Sequence, residues 1–78
     1  MNEQAKQEMS KNLEIAIKQL KQAMKNIDKA EEIAFRNRKD KMSDGLEKDA
    51  IEVAKIADEL HILNCFVKYR SEIFENEQ

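Results

Sequence analysis

The stretch LEKDAIEVAKIADELHILNCFVKYRSEIF, residues 46–74, puts Leu46, Ala50, Val53, Ala57, Leu60, Asn64, Val67, Ser71 and Phe74 at alternating steps of four and three. That spacing winds one seam along one side of a helix. Upstream, Leu13, Ala16, Leu20, Ala23, Ile27, Ala30 and Ala34 obey the same rule. A single glycine, Gly45, stands between the two seams, and there is no proline. Such a chain reads as all-α, two long helices and one turn. With 78 residues it makes one small domain.

The end signals divide the chain into helix 1 over about 3–40, a turn over about 41–45 and helix 2 over about 45–74, with 75–78 frayed. Asn2 or Ser10 can cap helix 1. Arg36, Arg38, Lys39 and Lys41 then fall in its last turns, at the negative end of its dipole. Asp44 followed three residues later by Glu47 reads as a capping box for helix 2. A short turn makes the helices antiparallel. Facing residue numbers in the two seams then total 87, from Leu13 with Phe74 to Ala34 with Val53, and the midpoint lies between Ser43 and Asp44.

The layers alternate large against large and small against small. Ala-Ala layers bury little apolar area against the ordering entropy of two long helices. A lone hairpin is therefore marginal, and docking two hairpins into a homodimeric four-helix bundle is the expected remedy. In its alternating small and large heptads the chain resembles the Rop-type plasmid RNA-binding proteins. That resemblance implies the same hairpin dimer and, as a second functional reading, an RNA-binding bundle. It carries over no individual residue.

Two surfaces are candidates for function. At about 100° per residue, Ile62, Phe66, Tyr69 and Ile73 form a second apolar stripe on helix 2, with Leu63 on its flank. A helix apolar on most of its circumference needs covering on more than one side, so this stripe is the expected protein-binding surface, self or partner. On helix 1, Lys11, Lys18, Lys25, Lys29 and Arg36 lie opposite the seam and would serve an anionic partner such as nucleic acid. Residues 1–41 carry a net charge of +3 and residues 42–78 a net of −5. Glu14 with Lys18, and Glu32 with Arg36, are spaced to neutralise part of that stripe, and no aromatic residue is interleaved to stack on bases.

Chemistry is sparse. His61 and Cys65 are one turn apart and Asp58 precedes them by another, which makes these three the candidate metal ligands. One His and one Cys per chain do not complete a site, and the reading is no metal, no cofactor and no enzyme. The lone Cys65 forms no internal disulfide, and the polar N-terminus and interrupted apolar cluster 60–67 give no membrane-spanning segment. A cytoplasmic protein is expected. The overall reading is a small regulator, adaptor or inhibitor that works by protein contact, of a size and style that suit a phage or other mobile element.

Overall fold

The computed structural model describes residues 2–69 and contains two helices packed against each other, α1 from Glu3 to Arg36 and α2 from Asp40 to Tyr69. The fold is an all-helical hairpin, 53 Å long, 20 Å wide and 14 Å thick. Asn2 caps α1: its side-chain oxygen accepts a hydrogen bond from the Ala5 N–H at 2.7 Å. Ser10, the other candidate cap, lies inside the helix and is buried.

Both seams face inward. Leu13, Ala16, Leu20, Ala23, Ile27 and Ala34 are all buried or half-buried, as are Leu46, Ala50, Val53, Ala57, Leu60, Asn64 and Val67. Ser71 and Phe74 lie outside the described residues. One seam position departs from expectation. Ala30 is exposed, while Ser10, Ile17, Met24 and Glu31, one position to the other side, are buried or half-buried. The inner face of α1 is thus rotated toward the row that contains Ile17.

The turn is displaced from its expected place. It spans residues 37–39 rather than about 41–45, and Asp44 and Glu47 lie inside α2 instead of capping it. The stop comes from backbone hydrogen bonding. Arg38 adopts a left-handed φ of 57°. Its N–H donates to the Phe35 carbonyl at 3.0 Å, and the Lys39 N–H donates to the Ala34 carbonyl at 2.8 Å. This pair of bonds is a Schellman motif, which satisfies the last carbonyls of α1. Asn37 adds a side-chain donor to the Ile33 carbonyl at 2.8 Å. Glycine is the usual residue at the left-handed position, and here an arginine holds it, so the glycine signal at 45 misdirects. Of the cationic cluster, Arg36 alone is in the last turn of α1.

The break is needed for packing. Ala34 and Ser43 are both buried and stand nine residues apart. In an unbroken helix they would point about 180° from each other. Only a chain reversal between them lets both look into one interface.

The register moves with the turn. Glu14 Oε1 accepts a hydrogen bond from Lys68 Nζ at 2.6 Å, a pair whose numbers total 82, and Asn64 also acts on Glu14, a pair totalling 78. Facing positions therefore total about 80, one heptad from the expected 87. A seven-residue slip leaves a heptad seam in phase, so apolar spacing alone cannot tell the two registers apart.

Candidate functional site: an exposed apolar row beside the seam

A four-helix bundle uses the two seam positions and one flanking position of each heptad to fill its core. On α2 the flank toward the far side of the hairpin is the row Met42, Asp49, Ile56 and Leu63. Met42, Ile56 and Leu63 expose 62%, 47% and 47% of their surface. Ile33, on the matching flank of α1, is also exposed. Three large apolar side chains thus share one solvent-facing row of the hairpin.

The stripe expected from sequence lies beside this row at the open end of α2. Ile62 and Tyr69 are exposed, Leu63 belongs to both surfaces, and Phe66 is half-buried. Ile62, Cys65, Phe66 and Tyr69 line one shallow depression there. Ile73 lies outside the described residues. Met42, Ile56 and Ile33 were missed, although the spacings of fourteen and seven residues from Met42 to Ile56 and Leu63 are a signal for the two on α2.

Lys11, Lys18, Lys25, Lys29 and Arg36 are all exposed on α1. The charge division behind the anionic-partner reading shrinks at the observed boundaries. α1 carries seven cations and six anions, net +1, while residues 40–78 carry five cations and ten anions, still net −5. Three cations counted with helix 1, Arg38, Lys39 and Lys41, belong to the turn and to α2.

Glu14 pairs with Lys68 on the other helix rather than with Lys18 on its own. That hydrogen bond and the Lys68 charge hold the Glu14 carboxyl below its ordinary pKa, and the Asn64 amide and Lys18 act in the same direction. The reciprocal hydrogen bond raises Lys68 above the ordinary lysine value. Glu32 and Arg36 form no ion pair among the described residues.

Asn64 is 5% exposed, and its Oδ1 has no hydrogen-bond partner among the described residues. It sits in the seam near Glu14 and Ile17. Cys65 Sγ lies 3.9 Å from His61 Nε2, and both side chains are exposed. Asp58 does not join them: no three His, Cys, Asp or Glu side chains among the described residues are grouped to hold a metal ion. No helix among those residues is long and apolar enough to cross a membrane. Comparison with protein-family models, with curated proteins and with solved structures gives no match, so the reading of function rests on the surface itself.

Proposed function

We propose that this chain is a small protein–protein interaction module, a regulator, adaptor or inhibitor, that works as a homodimeric four-helix bundle. One observation carries the reading: Met42, Ile56 and Leu63 stand exposed in a heptad row beside a seam rich in alanine. The hairpin alone buries few side chains. Its apolar buried set among the described residues is Ile17, Ala34, Ala57 and Val67. So small a core offsets little of the ordering entropy of two helices of 34 and 30 residues. A second hairpin on the exposed row supplies the missing burial. The stripe at Ile62 and Tyr69, further round α2, then remains for a heterologous partner, with aromatic Tyr69 as its anchor.

Paired aspartate substitutions test this. Leu63→Asp with Ile56→Asp removes dimerisation, measured by sedimentation equilibrium, because both carboxylates would be buried between the hairpins. Ile62→Asp with Tyr69→Asp leaves the dimer intact and abolishes partner capture. All four side chains are exposed in the hairpin, so its own packing is spared. A dimer that survives Leu63→Asp with Ile56→Asp would overturn the assignment of the row.

A further inference from the structure

We infer that a second copy of this chain covers the exposed row with its α1 over the first copy's α2 and both turns at the same end of the bundle; this orientation rests on the dimeric reading above. Two hairpins stacked face to face around a two-fold axis have two simple arrangements. An axis perpendicular to the helices puts α2 on α2 and the turns at opposite ends. An axis along the helices puts α2 on α1 of the other copy, with the turns together.

Charge separates the two. The contact rows of α2 are Met42, Asp49, Ile56, Leu63 and, one position outward, Gly45, Glu52, Glu59, Phe66. They hold three carboxylates and no cation. Like on like would line up six carboxylates along one seam, and facing like charges oppose association. The corresponding outward row of α1 is Ile15, Gln22, Lys29 and Arg36.

Symmetry then fixes the register. A two-fold axis parallel to the helices allows no sliding, so α2 meets the other copy's α1 at the height at which it meets its own. Facing numbers again total about 80. At that height Phe66 faces Ile15, Glu52 faces Lys29, Glu59 faces Gln22 and Gly45 faces Arg36. On these outward rows apolar meets apolar, Glu52 meets an ammonium, Glu59 meets an amide, and the longest cation meets the one residue without a side chain; on the inner rows Leu63, Ile56 and Asp49 lie opposite Gln19, Asn26 and Ile33. The match with Arg36 gives Gly45 a role. It lies inside α2, and a methyl group added there would meet nothing within 4 Å in the hairpin, so the single chain does not need it. Area is sufficient as well. One 53 × 20 Å face on each of two copies removes about 2,000 Å2 from water, the size of a stable dimer interface.

The test is a distance between labels in the full chain. Lys39→Cys on a Cys65→Ser background places one spin label at each turn. Turns together give a label separation under about 30 Å, as expected for helices packed 8–10 Å apart, and turns at opposite ends give roughly 50 Å. A long distance in a protein that is dimeric by sedimentation overturns the orientation and leaves the dimeric reading standing. A monomer overturns both. Charge reversal provides a second arm. Glu52→Lys and Lys29→Glu each weaken dimerisation about fivefold or more, and the double variant returns to within about twofold of the parent. Tighter dimerisation by Glu52→Lys alone is the result expected of α2 on α2, and it would overturn the inference.

Discussion

Glu14 of α1 and Lys68 of α2 are joined by a 2.6 Å hydrogen-bonded ion pair, and this contact between residues 54 apart in sequence marks the hairpin register. Both groups face solvent, so the pair contributes little to stability. Its pH dependence has two limbs. The Glu14 pKa is lowered by Lys68, so its contribution is present above the unfolded carboxylate pKa and fades as pH falls through the folded value. The Lys68 pKa is raised by Glu14, so that contribution is present below the unfolded lysine pKa and fades as pH rises through the folded value. Thermal melts across pH should therefore show Glu14→Gln slightly less sensitive to acid than the parent. Equal acid sensitivity in both proteins would contradict the pairing.

Arg38 holds the turn in a conformation that favours glycine. Arg38→Gly should stabilise the hairpin by about 0.5–1 kcal/mol: the left-handed cost of roughly 1–2 kcal/mol is relieved, less the entropy that glycine loses on folding. Urea unfolding with an unchanged m-value checks this. Destabilisation would mean that the Arg38 side chain makes a contact worth more than its backbone strain.

Asn64 buries an acceptor that has no partner among the described residues. Asn64→Leu should raise unfolding stability by roughly 1 kcal/mol, since an unsatisfied buried polar group costs about 1–3 kcal/mol and the larger side chain must be accommodated. The same change should broaden the distribution of oligomers, because a core asparagine restricts register and stoichiometry. Sedimentation velocity reads the second effect, and a single sharp dimer peak from Asn64→Leu would deny Asn64 that role.

Lys18 and Lys25 of α1 should be dispensable. Lys18→Glu with Lys25→Glu should leave dimerisation and partner capture unchanged. Binding to generic RNA, titrated between low and moderate salt, should be absent or should collapse steeply with ionic strength, as phosphate contacts do. Tight binding of RNA that the double variant abolishes would favour the nucleic-acid reading.

Helix number and inward faces were legible because the heptad is a local pattern. Every described seam position except Ala30 is buried or half-buried. The turn was not legible. Its stop signal is backbone hydrogen bonding around Asn37, Arg38 and Lys39, with no glycine or proline to announce it. Register followed the turn, since a heptad seam is indifferent to a seven-residue slip and only a contact such as Glu14 with Lys68 distinguishes the alternatives. The apolar stripe was found at Ile62 and Tyr69, where side chains are large and close together. The neighbouring row through Ile56 and Met42 was missed because Asp49 interrupts it.

Sedimentation equilibrium of the unmodified chain at micromolar concentration tests the central claim most directly. A chain of 9.1 kDa that pairs through the row of Met42, Ile56 and Leu63 should sediment at about 18 kDa. A mass of 9.1 kDa that holds into the high micromolar range, with the helix content of the hairpin intact, would contradict it.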